Sequence, residues 1–318
     1  MNKRMNQTPA RFAGRLIGQN QMPMGFSHRH LENNGAMILM ASIMVARGSS
    51  FIFSKWLMDG LEPMNVLAVR FCLAFLILAI IFHKKLLVLD KKTFFKGMLL
   101  GLAYTLNMVV EMYGLRLIDA GTCSFIENSA IVIVPLYMAV LTRTLPKKKV
   151  LYCALIAFVG VGFLTLSGGA SALNAGSLLA ILAALIFGVC IVITDYVSRE
   201  GDPVTMGVLQ IGFMGIFSTI LTFAVETPRL PVNTVEWSMI LMLALICSCF
   251  GFTFQPLAQK YLSAETAGVF TAINPLSTCF LGILLGQEDA DVFKLLGGIL
   301  VVAAVLLSIR KDSSRSKA

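Results

Sequence analysis

The sequence predicts an all-α polytopic membrane protein with ten transmembrane helices in two inverted five-helix repeats. Three observations lead to this prediction: an apolar composition, ten apolar stretches of spanning length, and landmarks of the first half that recur in the second. Hydrophobic residues make up 57% of the 318 positions and charged residues 14%, against about 45–50% and about 25% in soluble proteins. Most of the chain must therefore face lipid.

Ten stretches are long enough to cross a membrane, because about 30 Å of hydrocarbon takes roughly 20 apolar residues of helix. They lie near 36–57, 64–83, 94–114, 120–142, 150–167, 177–198, 204–225, 237–257, 264–285 and 292–309. Long continuous runs favour helices over the ten-residue alternating segments of a transmembrane barrel.

The first five stretches share landmarks with the last five. Gly48 and Gly188 lie 140 positions apart (188 − 48) and are followed by Pro63 and Pro203 at the same offset. Five is an odd number, so the second copy must enter the membrane from the opposite face, as in many carriers with alternating access. We therefore predict repeats at 35–167 and 177–309. Basic cytoplasmic tails flank them at 1–34, predicted to be disordered, and at 310–318.

The net charge of +9 is distributed unevenly between the two faces of the predicted membrane. Twenty of the 26 Lys and Arg residues lie in the two tails or in alternate loops, whereas the opposite loops hold three, Arg116, Arg229 and Lys294. Positive charge marks the cytoplasmic side. Both termini are thus predicted to be cytoplasmic, in a plasma or inner membrane, and the basic tails indicate anionic lipid as a partner rather than nucleic acid.

Cysteine and histidine patterns point away from metal or redox chemistry. All seven cysteines fall inside predicted spans, where they are expected to pack as small apolar residues. The three histidines, His28, His30 and His83, fall in predicted cytoplasmic segments, and neither HExxH nor GxSxG occurs. We predict no cofactor and no metal, and an enzyme is the less favoured class.

Four ionisable side chains lie deep in predicted spans of the first half: Arg47, Arg70, Glu111 and Glu127. Such groups are costly in lipid and face a partner or a cavity. One interpretation is that they form structural ion pairs, with Arg70 also near enough to the surface to snorkel. The other is that they meet a substrate, either a zwitterion such as an amino acid or an organic anion. A buried carboxyl group disfavours its ionised form, so Glu111 or Glu127 could also carry a proton.

A wider set of neutral polar residues extends the predicted substrate pathway. Tyr104 and Asn107 share a helix face with Glu111, and Asn274 precedes Pro275, which removes a backbone hydrogen bond and bends a helix. Gln255 holds the place of Glu111 at an offset of 144 (255 − 111). The complete set of predicted pathway residues is Arg47, Arg70, Tyr104, Asn107, Glu111, Glu127, Asn128, Gln210, Gln255 and Asn274.

The landmarks resemble those of the drug/metabolite transporter superfamily, in particular its EamA-type permeases with ten helices in two five-helix repeats. The similar pieces are Gly48-Ser-Ser-Phe-Ile-Phe-Ser-Lys55 with Pro63 and Arg70-Phe71, Gly114-Leu with Ala120, Phe125 to Pro135, Leu262-Ser-Ala264, Asn274-Pro275, Gly286-Gln-Glu288 and residues 296–304. This resemblance implies an inner-membrane carrier of amino acids, metabolites or drugs, often directed outward. Two residues depart from it: Arg47 replaces a common aromatic residue, and Glu111 replaces an apolar residue or glutamine.

Together these features predict a secondary transporter for a small polar or zwitterionic metabolite, with proton coupling as one mechanism. A drug or an organic anion is the alternative substrate, and a channel or a polytopic enzyme is the alternative class. Small residues four apart, as in Gly97 to Gly101 and Gly282 to Gly286, allow close helix packing within one subunit or in a homodimer.

Overall fold

A computed structural model describes residues 26–165, 174–286 and 292–309, and within those ranges the chain is helical with no strand. The α-helices are α1 Phe26–Leu57, α2 Pro63–Ile81, α3 His83–Leu87, α4 Lys91–Leu117, α5 Ala120–Glu127, α6 Ala130–Thr142, α7 Lys148–Thr165, α8 Ala175–Ser198, α9 Pro203–Val225, α10 Thr234–Met242, α11 Thr253–Tyr261, α12 Ala264–Phe270, α13 Ile273–Leu284 and α14 Val292–Ile309. A π-helical segment, Leu243–Phe252, joins α10 to α11.

Eight helical stretches among the described residues are long and apolar enough to cross a membrane. They are Asn34–Leu57, Pro63–Ile81, Lys91–Leu117, Ala120–Thr142, Ala175–Ser198, Pro203–Val225, Thr234–Tyr261 and Ala264–Leu284. Large apolar side chains such as Ile80, Val140 and Phe223 are more than 70% exposed on the outside of the bundle. An all-helical multi-pass membrane protein is thus confirmed.

The first helix begins earlier than the sequence predicts. Its backbone is helical from Phe26, inside the segment 1–34 that was expected to be disordered, although the apolar span starts at Asn34. A helix that has already nucleated adds residues at little cost, because each one contributes another hydrogen bond. Residues 1–25 and 310–318 lie outside the described ranges.

Two spans are broken in the middle at corresponding places. Helix α5 ends at Glu127 and α6 begins at Ala130, whereas α12 ends at Phe270 and α13 begins at Ile273; both steps are 143 positions apart (270 − 127 and 273 − 130). Pro275 lies in the first turn of α13, where its missing N–H is tolerated. The carbonyl of Thr271 accepts instead from the Asn274 backbone N–H at 3.0 Å.

The π-helical segment precedes Pro256, which lies inside α11. Proline at this position leaves the carbonyl of Phe252, four residues earlier, without its usual helical donor. Widened turns of this kind occur beside such interruptions and are frequent at functional sites. The segment turns Ser248 and Phe252 into the protein interior, where both are buried.

Glycine allows close approach of helices at several positions, and at two of them the neighbouring atom is a backbone oxygen closer than 2.5 Å. A Cβ atom on Gly48 of α1 would lie 2.4 Å from the carbonyl oxygen of Asn274 in α13. A Cβ atom on Gly207 of α9 would lie 2.1 Å from the carbonyl oxygen of Thr253 in α11. The Gly48 contact crosses between the two halves of the chain, whereas the Gly207 contact brings two helices of the second half together.

Polar contacts join the two halves at both ends of the bundle. At one end, Glu226 accepts from the backbone N–H groups of Met64 (3.0 Å) and Asn65 (3.1 Å) and so caps the N-terminus of α2. At the other end, Lys85 pairs with Asp202 at 2.7 Å. Partial burial would raise the pKa of Asp202, but hydrogen bonds from Lys85 and Thr205 outweigh this and leave the pKa below its usual value.

Candidate functional site

A small cavity of about 10 Å³ lies between the two halves of the chain, which is about the room that one water needs. Its lining residues come from α1, α2, α4, α5, α13 and the π-helical segment, and none is more than 6% exposed. They are Arg47, Ser50, Phe51, Arg70, Met108, Glu111, Glu127, Phe252 and Asn274. The structure therefore brings five of the ten predicted pathway residues to one cavity.

Arg47 is held by one amide and three aromatic rings. Its Nη1 donates to Oε1 of Gln255 at 2.8 Å. Its guanidinium carbon lies 4.3 Å from the ring centroid of Phe252, 4.9 Å from that of Phe187 and 5.9 Å from that of Tyr104. Each distance is within the range of a cation–π interaction.

Arg70 makes hydrogen bonds to hydroxyl groups. Its Nε donates to Ser248 Oγ at 2.7 Å and its Nη1 to Ser50 Oγ at 2.9 Å, while its Nη2 has no partner among the described residues. The side chain is 1% exposed. The interpretation that Arg70 snorkels to the surface is therefore wrong: serines from α1 and the π-helical segment bind it inside the bundle.

Glu111 and Glu127 face each other across the cavity. Both residues line the cavity, and Glu127 Oε1 accepts from Asn107 Nδ2 at 2.9 Å. Two ionised carboxylates buried at one cavity repel each other, so protonation of one of them would be favourable. The pair thus resembles the carboxyl dyads in which one proton serves two groups.

Direct ion pairs do not form between the buried arginines and glutamates. Among the described residues, no side-chain nitrogen of Arg47 or Arg70 lies within 4.0 Å of a carboxylate oxygen. The structural ion-pair interpretation is not realised in this arrangement, because each arginine is already bound by neutral oxygens and rings. Arg70 Nη2, which has no partner among the described residues, is therefore available to a ligand.

Amide and phenol groups continue the cluster on both sides of the cavity. Gln255 Nε2 donates to the Tyr104 hydroxyl at 2.8 Å. Asn274 Nδ2 donates to Asn128 Oδ1 at 2.9 Å, across the two broken spans, and Asn274 Oδ1 has no partner in the described part of the chain. Four further predicted residues, Tyr104, Asn107, Asn128 and Gln255, thus join the cluster through hydrogen bonds.

Gln210 is the predicted pathway residue that the structure leaves outside this cluster. It is 1% exposed, does not line the cavity, and neither amide atom has a partner in the described part of the chain. Its backbone carbonyl packs instead beside Gly101 of α4. Gln210 lies 140 positions after Arg70 (210 − 70), at the corresponding place in the second repeat. This correspondence does not bring the two side chains to one site.

Sequence reasoning missed several members of the cluster. Ser50 and Ser248 bind Arg70, and Phe187 and Phe252 stack on Arg47. Phe187 precedes Gly188 as Arg47 precedes Gly48, so the repeat contained a signal for it. Ser248 carried none, since its orientation depends on the π-helical turn.

A multi-pass helical bundle with buried charges around an internal cavity is typical of membrane transporters. The family to which the chain is similar is also a family of transporters. The EamA-like transporter family matches residues 34–166 and again residues 174–310. The chain belongs to this family, which confirms the resemblance to EamA-type permeases and is consistent with the drug/metabolite transporter superfamily.

Curated relatives and a solved structure are similar over most of the chain. An uncharacterized transporter of Archaeoglobus fulgidus is 26% identical over 269 residues, which are 84% of this chain and 83% of the relative. The uncharacterized transporter YetK of Bacillus subtilis is 22% identical over 291 residues, 87% of each chain. One crystal structure superposes with a TM-score of 0.73 at 15% identity, covering 86% of this chain and 98% of the other, and shows that the fold is shared.

Proposed function

We propose that the protein is a secondary active transporter that moves a small polar or zwitterionic metabolite, such as an amino acid, by alternating access. The observation that supports this most strongly is the buried cavity lined by two arginines and two glutamates. Among the described residues, neither arginine forms an ion pair with either glutamate. Arg70 Nη2 offers a free donor for a carboxylate, and Asn274 Oδ1 offers a free acceptor for an ammonium group. With one of the two glutamates protonated, the four groups carry a net charge of +1 (+2 − 1).

The proposed architecture is ten spans in two inverted five-helix repeats. Helices α7 and α14 supply the fifth span of each half, in addition to the eight stretches described above. The twofold family match and the two helix breaks 143 positions apart support a duplication. Broken helices near the midplane are the usual place of substrate sites in carriers built from inverted repeats.

Uptake into proteoliposomes tests the proposed function. Radiolabelled amino acids, organic anions and a cationic drug should be compared, with saturable uptake and trans-stimulation by unlabelled substrate expected for one of the first two classes. A channel would conduct without saturation at these concentrations, and a membrane enzyme would release a product. Either result would contradict the transporter mechanism.

Both termini are proposed to face the cytoplasm, in the plasma or inner membrane. In a variant without native cysteines, a membrane-impermeant maleimide added to intact cells should label Asp59→Cys, in the loop before α2, and should not label Lys91→Cys, at the start of α4. Both positions are exposed. Lysed cells should label both, which controls for reactivity, and the opposite pattern in intact cells would reverse the orientation.

Arg47 is proposed to line the transport pathway, so Arg47→Lys should lower transport at least about tenfold. Lysine keeps the charge but loses the planar fork that binds Gln255 and a carboxylate at once. Initial uptake rates in proteoliposomes, normalised to the amount of inserted protein, measure the effect. Arg143→Lys, at an exposed position after α6, is the matched control and should retain the wild-type rate. Normal transport by Arg47→Lys would make Arg47 a structural residue.

A further inference from the structure

We propose that Tyr104, Phe187 and Phe252 form a binding box for an organic cation, and that Arg47 occupies this box with its own side chain. We call these three residues the aromatic box. Arg47 is then a specificity residue: it blocks the box against cationic substrates and leaves an anionic or zwitterionic substrate to bind beside it. The inference deepens the proposed transport function, since it concerns the substrate class at the same cavity.

The geometry of the box is that of a cation site with several walls. Rings from α4, α8 and the π-helical segment approach one guanidinium carbon to between 4.3 and 5.9 Å. Phe252 meets Tyr104 edge to face, with centroids 5.5 Å apart and planes at 88°. All three box residues are at most 1% exposed. Rings that surround a cation on several sides and are shielded from water recognise ammonium and guanidinium groups.

Hydrogen bonds hold one wall of the box, Tyr104, in place independently of any external ligand. The Tyr104 hydroxyl accepts from Gln255 Nε2 at 2.8 Å and lies 3.3 Å from Thr194 Oγ1. Gln255 Oε1 points at the guanidinium and accepts from it at 2.8 Å. Removing the Arg47 side chain would therefore leave three ring faces and a free amide oxygen around an unoccupied space. The rings would attract a cation, and the amide oxygen would accept from an N–H group of that cation.

The remaining charges explain why the native protein would reject a second cation. The guanidinium of Arg47 already fills the ring faces, and Arg70 lines the same cavity. A substrate cation in this cavity would be repelled by two fixed positive groups, Arg47 and Arg70. Phe187 in the second half of the chain is at the position equivalent to Arg47 in the first half (187 − 47 = 140). The box therefore packs an aromatic residue of one half against the cation of the other half.

The test is chemical replacement of the missing side chain. Arg47→Ala retains Cβ and lacks the atoms of one ethylguanidinium ion. Purified Arg47→Ala in detergent should show a saturable rise in melting temperature with ethylguanidinium chloride, roughly 2–4 °C, and a similar rise with tetramethylammonium chloride. Wild type and Arg47→Lys should show neither, because their own cation fills the box. Sodium chloride at equal concentration controls for ionic strength.

Three controls separate the box from simple filling of a cavity. N-ethylurea has the shape of ethylguanidinium without its charge and should give no rise. Arg70→Ala removes an arginine of the same cavity that stacks less closely, 5.0 Å from Phe71 and 5.9 Å from Phe252, and should gain no response. Arg47→Ala/Phe252→Leu removes the nearest ring and should lose it.

Each outcome decides the inference. If Arg47→Ala unfolds on extraction, ethylguanidinium present during extraction should restore its yield, whereas sodium chloride and N-ethylurea should not. An equal response to N-ethylurea, an equal response of wild type, or no response of Arg47→Ala under either protocol would overturn the aromatic box. These are binding measurements, so they can fail while transport is found, and they can succeed while the transport assay fails.

Discussion

Gly207→Ala should prevent recovery of folded protein. The new Cβ would lie 2.1 Å from the carbonyl oxygen of Thr253 and 2.8 Å from its Cα. These are backbone atoms of α11, so no side-chain rotation relieves the overlap and the two helices must separate. Overpacking costs about 1–3 kcal/mol and sometimes more; here we expect at least about 3 kcal/mol, a large part of a typical unfolding free energy of about 5–15 kcal/mol.

The matched control for Gly207→Ala is Gly35→Ala. Gly35 lies on an exposed face of α1 with no atom within 4 Å of an added Cβ. Alanine there should leave stability unchanged or raise it by about 0.5–1 kcal/mol, because it has the better helix propensity. Thermal unfolding and size-exclusion profiles in detergent measure both variants. The melting temperature of Gly207→Ala could instead lie within about 1 °C of wild type, which is roughly the resolution of such curves. That result would show that α9 and α11 are not fixed in this contact.

The spans could be predicted because their signal is local. Apolar runs and the prolines at the starts of α2 and α9 place the helix ends within a few residues of those observed, except for the start of α1. The breaks could be predicted only in part. Pro275 indicates the one before α13, but nothing as strong stands at Asn128 and Ser129, where the chain also leaves the helix.

The sequence could predict which residues belong to the cluster, but not which residues each of them binds. Ionisable groups in apolar runs indicated Arg47, Arg70, Glu111 and Glu127, since lipid tolerates them poorly. Charge balance then suggested ion pairs, whereas the structure binds Arg70 to serines. That choice depends on tertiary contacts across more than 170 positions (248 − 70 = 178), and a sequence pattern carries no information about them.

The neighbours of the two glutamates determine which of them more readily carries a proton. Glu127 accepts from Asn107 at 2.9 Å, a bond that favours its ionised form. Glu111 has no such donor among the described residues, so of the two it is the one whose protonated form is more strongly favoured. We propose that Glu111 takes up a proton on one side of the membrane and releases it on the other as the two halves exchange conformations.

Glu111→Gln should therefore abolish substrate accumulation driven by a pH gradient, to the level of empty proteoliposomes, while substrate exchange without a gradient stays within about twofold of wild type. Glutamine keeps a donor at this position but cannot release a proton. Accumulation and exchange are measured on the same proteoliposome preparation, with Glu62→Gln, at the exposed end of the bundle before α2, as the matched control. Glu127→Gln should also lose accumulation, because Glu111 then has no second carboxylate at the cavity to favour its protonation. If accumulation survives in both variants, the proton does not travel through this pair, and the carboxyl groups serve only to balance the buried arginines.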